Sequence, residues 1–227
     1  MRAFLILMVL VGCGDDHPAI DAAPDTEPDA LVIALDCPTY CTEIQANCTG
    51  ANAQYPDRQH CDATCASFTV GTSKVTDTTG NTLGCRIYHG GDPAKMAAAT
   101  HCVHAGPGGD LITATPPGVC SGGDVCESFC SLEIRACGSL DAPRPGNPKD
   151  ITGNPLFQYR NMADCMTSCA AFDKTHVYST MSAGNSLACR LFHATSAAID
   201  VAAPYGAVEC PYTAVAPTGP CAGAATP

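Results

Sequence analysis

The fold is decided by residues 37–65, which read CPTYCTEIQANCTGANAQYPDRQHCDATC. This stretch contains two pairs of cysteines with three residues between them, and two such pairs recur within residues 126–169. Sixteen of the seventeen cysteines form two sets of eight, in which four intervals are identical: three, six, three and nineteen residues. The first set is Cys37, Cys41, Cys48, Cys61, Cys65, Cys85, Cys102 and Cys120, and the second is Cys126, Cys130, Cys137, Cys165, Cys169, Cys189, Cys210 and Cys221. We interpret the chain as a tandem duplication of one disulfide-rich unit.

The cysteines of residues 37–48 have helical spacing. With Ile44 they follow the pattern i, i+4, i+7 and i+11, which is one face of a helix. Asp36 is the predicted N-cap of this helix, and Pro38 fits its first turn. The second unit repeats the spacing, with Glu133 at the position of Ile44.

The second Cx3C pair also predicts a helix. Residues 61–65 continue to Phe68 with the spacing i, i+4, i+7, and Asp57 is a candidate cap. In the second unit, residues 165–169 repeat the pattern and Asn161 is the candidate cap. Each unit is therefore expected to open with two short helices that carry Cx3C pairs.

Two Cx3C helices joined by a loop resemble the twin-Cx3C helical hairpins, in which two bridges staple antiparallel helices together. The resemblance covers about 30 residues of the first unit and about 45 of the second, and it concerns geometry only. It implies an outer and an inner bridge in each unit: Cys37–Cys65, Cys41–Cys61, Cys126–Cys169 and Cys130–Cys165.

The later part of each unit carries the strongest match outside the cysteines. Residues 80–89 read GNTLGCRIYH and residues 184–193 read GNSLACRLFH, which indicates a turn or the start of a helix. A further helix is predicted over 94–101, and another over 197–203. The fold class is therefore mainly α, with three or four short helices in each unit and a Gly/Pro-rich tail. The cysteines left after the hairpins are expected to pair as Cys48–Cys85, Cys137–Cys189, Cys102–Cys120 and Cys210–Cys221, although the sequence leaves the last two pairings open.

The N-terminus predicts export and a lipid anchor. A short apolar run ends in Leu10-Val11-Gly12-Cys13, which resembles the lipobox of bacterial lipoprotein signal peptides. The resemblance implies cleavage before Cys13 and attachment of lipid to this residue. The expected organisation is a signal peptide at 1–12, a lipidated cysteine and disordered acidic tether at 13–36, Cys-rich units at 37–120 and 126–221, and a disordered tail at 222–227. We expect the cell envelope, with the outer membrane preferred over the inner.

Composition narrows the function. The net charge of −11 argues against a nucleic-acid partner, and the many cysteines suit an oxidising compartment. The sequence contains no G-x-S-x-G, H-E-x-x-H, P-loop or C-x-x-C-H motif, so we expect no enzyme. The expected role is structural or adhesive, with a protein or glycan as ligand and the membrane reached through the N-terminal lipid.

Three histidines of the first unit support an alternative function. His89, His101 and His104 could supply nitrogen ligands to zinc or copper, or could serve a haem. In the second unit only His193 is kept, while Glu209 and Tyr212 replace the other two. The competing interpretation is a surface or hydrogen-bonded structural role, in which His89 and His193 donate to a backbone carbonyl or pack beside the preceding arginine. Arg86 and Arg190, three residues before a histidine, are expected to pair with a nearby carboxylate.

Overall fold

The computed structural model describes residues 33–71, 77–110, 118–142, 157–180, 182–199 and 205–224. These residues form nine α-helices: α1 (Cys37–Asn47), α2 (Arg58–Cys65), α3 (Leu83–Gly90), α4 (Asp92–Met96), α5 (Ala98–Ala105), α6 (Val125–Cys137), α7 (Met162–Ala170), α8 (Leu187–Ala197) and α9 (Tyr205–Thr213). Two 3-10 helices span Gly50–Asn52 and Gly219–Cys221, and the described residues contain no β-strand. The prediction of a mainly helical, disulfide-rich fold is confirmed.

Some predicted features lie outside the described residues. These are the signal peptide, Cys13, the tether up to residue 32 and the last three residues of the tail. Among the described helices, none has both the length and the apolar character that a membrane crossing requires.

The helices begin at the predicted caps. The side chains of Asp36, Asp57 and Asn161 each accept a hydrogen bond from the backbone N–H three residues ahead, at the starts of α1, α2 and α7. Thr82 and Ser186 do the same for α3 and α8, so both GN[TS]L sequences are a turn followed by a helix. Each cap satisfies an N–H group that the helix itself leaves unpaired.

Both hairpins are closed by the bridges that the twin-Cx3C resemblance implies. The structure contains Cys37–Cys65 and Cys41–Cys61 between α1 and α2, and Cys126–Cys169 and Cys130–Cys165 between α6 and α7. The four-residue spacing places both cysteines of a helix on the face that meets its partner helix.

The other four predicted disulfides are wrong. The predictions were Cys48–Cys85, Cys102–Cys120, Cys137–Cys189 and Cys210–Cys221, whereas the structure has Cys48–Cys102, Cys85–Cys120, Cys137–Cys210 and Cys189–Cys221. The order of pairing within each set of eight is nevertheless the same in both halves.

The direction of α3 explains this difference. The side chain of Asn47, at the end of α1, donates to the carbonyl oxygen of Gly90, at the end of α3. The two helices thus bring their C-terminal ends together, and Cys85 lies in the first turn of α3, about 7 Å along the axis from that contact. Cys48 is therefore closer to α5, where Cys102 lies, and Cys85 is left to pair with the returning chain at Cys120.

Two predicted helices also differ from the structure. The helix expected over 94–101 is divided at Ala97, where φ is −148° and ψ is 69°, so α4 ends and α5 starts in a new direction. The helix expected over 197–203 is absent from its described part, because α8 ends at Ala197 and residues 198–199 form a turn. Residues 200–203 lie outside the described residues.

The two predicted units contact each other through buried polar groups. The hydroxyl of Tyr178 donates to the carbonyl oxygen of Gln54 over 3.0 Å. Arg86 Nη2 donates to Ser128 Oγ over 3.1 Å, and this hydroxyl donates to Asn81 Oδ1. These bonds cross between the halves, while each half keeps its own apolar core.

Both predicted arginine ion pairs are wrong within the described residues. Arg86 and Arg190 lie in no salt bridge there, and each guanidinium instead stacks on an aromatic ring, at 3.9 Å from Phe68 and 4.0 Å from Phe172 respectively. Backbone carbonyl oxygens accept from both side chains, among them that of Gly106. Arg86 therefore ties α3 to the chain that follows α5, and Arg190 ties α8 to the chain that follows α9.

Candidate metal centre

The three histidines predicted as ligands lie together at the contact of α3 and α5. His89 is in the last turn of α3, and His101 and His104 lie three residues apart on α5, which places them on one helix face. The turn at Ala97 folds α5 back onto α3, and the Cys48–Cys102 bridge holds α5 against the end of α1.

The three imidazole rings are close enough to share one ion. One ring nitrogen from each of His89, His101 and His104 can be chosen so that all three lie within 4.8 Å of one another. The Nδ1 atoms of His89 and His101 are 2.9 Å apart. On a tetrahedral zinc ion, with Zn–N distances of about 2.0–2.1 Å, two nitrogens lie about 3.4 Å apart, so this pair would have to separate by only about 0.5 Å to hold an ion.

Hydrogen bonding determines which nitrogen of His89 is available. Its Nε2 lies 3.1 Å from the carbonyl oxygen of Thr78. A carbonyl oxygen only accepts, so Nε2 carries the hydrogen and Nδ1 carries the lone pair. His101 Nδ1 then donates to this lone pair in the metal-free protein. His89 thus makes the backbone hydrogen bond that the structural interpretation predicts. The same bond directs Nδ1 of His89 towards the other histidines.

His104 presents a nitrogen that has no partner. Its Nδ1 is buried and makes no hydrogen bond, whereas Nε2 lies 3.5 Å from Oδ2 of Asp110. A buried ring nitrogen without a partner carries a desolvation cost, which a bound ion would remove. The side chain is 14% exposed, so the cluster is close to the surface.

The surroundings of His89 and His101 favour the neutral form of both rings. Burial lowers the pKa of His89, opposed by its hydrogen bond to Thr78 and reinforced by the charges of His104 and His101. Burial and then the charge of His104 lower the pKa of His101. Because a metal ion binds the neutral form of imidazole, lowered pKa values favour binding at neutral pH.

The second half places a histidine–carboxylate contact at the corresponding position. His193 Nδ1 lies 2.5 Å from Oε2 of Glu209, and the ring of Tyr212 packs edge-on against the imidazole with the centroids 5.0 Å apart. One carboxylate thus takes the place of the second imidazole, and a phenol replaces the third. The described second half has no three-histidine cluster.

A disulfide lies beside the histidine in both halves. Sulfur atoms of Cys85 and Cys120 are within 4.8 Å of a ring nitrogen of His89, and Cys189, Cys221 and His193 repeat this arrangement. A thiolate, not a disulfide sulfur, is the usual metal ligand. Because these cysteines are bridged, the nitrogen atoms remain the available ligands.

Sequence reasoning missed Thr78 and Asp110. Thr78 contributes only its carbonyl oxygen, which leaves no trace in the sequence. Asp110 follows the Gly108-Gly109 pair, and this residue combination in a turn was the available signal.

The comparisons with known proteins concern mainly the first half. Residues 20–128 match the model of a family described as the BfoA family C-terminal domain, which is just under half of the chain. The matched region includes α1 to α5 and therefore all three histidines. No curated protein and no solved structure matches the chain. The first half is thus similar to that domain.

Proposed function

We propose that this protein is an envelope protein that binds one divalent transition-metal ion, zinc or copper, through His89, His101 and His104. The observation that supports this most strongly is the convergence of three imidazoles around a buried Nδ1 of His104 that makes no hydrogen bond. Three neutral nitrogen ligands suit zinc and copper better than magnesium or calcium, which prefer oxygen. The fourth position would be taken by water or by an external ligand.

The arrangement favours an ion over a haem. The rings of His89 and His101 are stacked with their centroids 5.1 Å apart and their planes 21° apart. A haem ligated by both rings would lie between them, and this separation leaves no room for a porphyrin. A haem would also leave the third histidine unused.

The anchored location is part of the proposal. A lipid on Cys13 and the tether at 13–36 would hold the folded part at the outer membrane, facing an oxidising compartment that suits its eight disulfides. In this setting the protein would sequester or pass on metal ions. If it binds no metal, the structural or adhesive role with a protein or glycan ligand is the one that remains.

Metal binding to His101→Ala tests this function. The protein is purified from its native envelope without chelators, and its zinc and copper contents are measured, followed by calorimetric titration of the metal-free protein. We expect one ion per chain, and at least a tenfold loss of affinity in His101→Ala, which removes a partly exposed ligand from a fold held by disulfides.

A matched control is His60→Ala, because His60 contacts Asp57 at the start of α2 and lies outside the cluster. It should bind as tightly as the unaltered protein. Absence of stoichiometric binding, or equal losses in both variants, would contradict the proposal.

A further inference from the structure

We propose that Asp110 is a positioning residue of this metal centre: its carboxylate holds His104 with Nε2–H towards itself and the Nδ1 lone pair towards the ion. This inference rests on the proposed function. Asp110 would set the tautomer and the orientation of the His104 ring.

The carboxylate of Asp110 lies beside the His104 ring. Asp110 Oδ2 lies 3.5 Å from His104 Nε2, on the side of the ring opposite the unpartnered Nδ1. This separation is within ion-pair range and slightly longer than a hydrogen bond. Histidines that ligate a metal usually donate their other ring N–H to a carboxylate or a carbonyl. Thr78 supplies such a carbonyl to His89, and Asp110 is placed to supply the carboxylate to His104.

The backbone of Asp110 has an unusual conformation. Asp110 has φ of 111°, and it is the one residue other than glycine with positive φ among the described residues. Such a conformation carries strain, which persists where the surrounding structure imposes it. Its side chain is 2% exposed, so the carboxyl group is held inside the protein, beside His104. A role at the metal centre accounts for both features.

The loop that precedes Asp110 is held in place by close contacts and hydrogen bonds. Gly109 has φ of 67°, and a Cβ atom there would lie 2.3 Å from the carbonyl oxygen of Cys120. Cys120 N donates to the carbonyl oxygen of Gly109 over 3.0 Å. The carbonyl oxygen of Gly106 accepts from Arg86 Nε. The loop is therefore fixed at both ends, and the carboxylate cannot move far from His104.

The second half loses the histidine and the carboxylate together. Tyr212 stands two residues after Cys210, as His104 stands two residues after Cys102. The loop there is shorter, and Gly219, with φ of 55°, packs against the Tyr212 ring. Tyr212 has no ring N–H to donate, and the loop that follows it contains no aspartate.

The test is the copper affinity of Asp110→Asn, measured by competition with a chelator of known affinity. Asparagine has the same shape and tolerates positive φ, so the variant removes the charge while the loop keeps its conformation. Copper is the probe because it binds most tightly among the divalent ions, which keeps weakened variants measurable. We expect a 10- to 100-fold loss of affinity. An affinity within about twofold of the unaltered protein would overturn the inference.

A double-mutant cycle separates positioning from a general structural effect. In a His104→Ala background, Asp110→Asn should cause no further loss, because the residue acts through His104. An equal loss in both backgrounds would overturn the inference and leave the metal site itself intact. If the unaltered protein binds no copper, the proposed function fails, and this inference fails with it.

Discussion

The buried carboxyl of Glu133 makes the stability of this protein depend on pH. Glu133 lies in α6, is fully buried, and has one oxygen without a hydrogen-bond partner. Its other oxygen is 2.8 Å from Oγ1 of Thr213, which is also 2.7 Å from the carbonyl oxygen of Cys210. A hydroxyl has one hydrogen, so a protonated Glu133 that donates to Thr213 satisfies both contacts. Burial raises the pKa of Glu133 from 4.5 to about 8.

The magnitude follows from this pKa. Between pH 4.5 and about 8 the folded protein keeps a proton on Glu133 that the unfolded chain releases. The stabilisation is therefore complete below this window and is lost as the pH rises through it. At about 1.4 kcal/mol per pH unit, the free energy of unfolding should fall by about 3–4 kcal/mol from pH 5 to pH 8 because of this one group.

Glu133→Gln tests this reasoning, because glutamine keeps the size of the side chain and can donate to Thr213 without ionising. The free energy of unfolding is measured by guanidinium denaturation between pH 5 and pH 8, with the disulfides intact. The control is Glu133→Ile, which introduces the residue found at the corresponding position of α1, Ile44. This variant also removes the ionisable group, but it replaces the side chain with an apolar one. Both variants should lose the decline assigned to Glu133. If the unaltered protein and Glu133→Gln show the same change with pH, the reasoning is refuted.

Two further predictions concern the metal centre and its support. Removal of the Cys48–Cys102 disulfide by paired serine substitutions should cost about 4 kcal/mol for its separation of 54 residues, and it should also weaken copper binding, since this bridge holds α5. The corresponding change to the inner bridge of the second hairpin should lower stability similarly and leave copper affinity unchanged; equal affinities in both variants would contradict the supporting role of α5. The double variant Glu209→His with Tyr212→His should create a second, weaker site next to His193, so copper titration should give two ions per chain instead of one. A stoichiometry that stays at one would show that the second half cannot adopt the ligand geometry.

The local features of the fold were predictable from the sequence. Caps such as Asp36 and Asn161 act on N–H groups three residues away, so their effect can be read directly from the chain. The hairpin bridges follow from the four-residue spacing within one helix and the resemblance to twin-Cx3C proteins. The replacement of Ile44 by Glu133 is visible in the sequence, whereas the complete burial of Glu133 is not.

The features that depend on packing were not predictable. The pairing of Cys48 depends on α3 bringing its C-terminal end to the end of α1, and no local pattern records that direction. The arginine prediction failed because Phe68 and two carbonyl oxygens contact the guanidinium of Arg86 where a carboxylate was expected. The three histidine ligands of the candidate site could be predicted from their residue type. The position of Asp110 could not, because it depends on a positive φ in a glycine-rich loop.

The most direct test of the account is X-ray absorption spectroscopy at the metal edge of the zinc- or copper-loaded protein. The account predicts first-shell nitrogen or oxygen atoms at about 2.0 Å, outer-shell scattering from three imidazoles, and no sulfur at about 2.3 Å. His101→Ala should reduce the imidazole scattering by one ring. A sulfur ligand, or fewer than three imidazoles in the unaltered protein, would contradict a centre built from His89, His101 and His104.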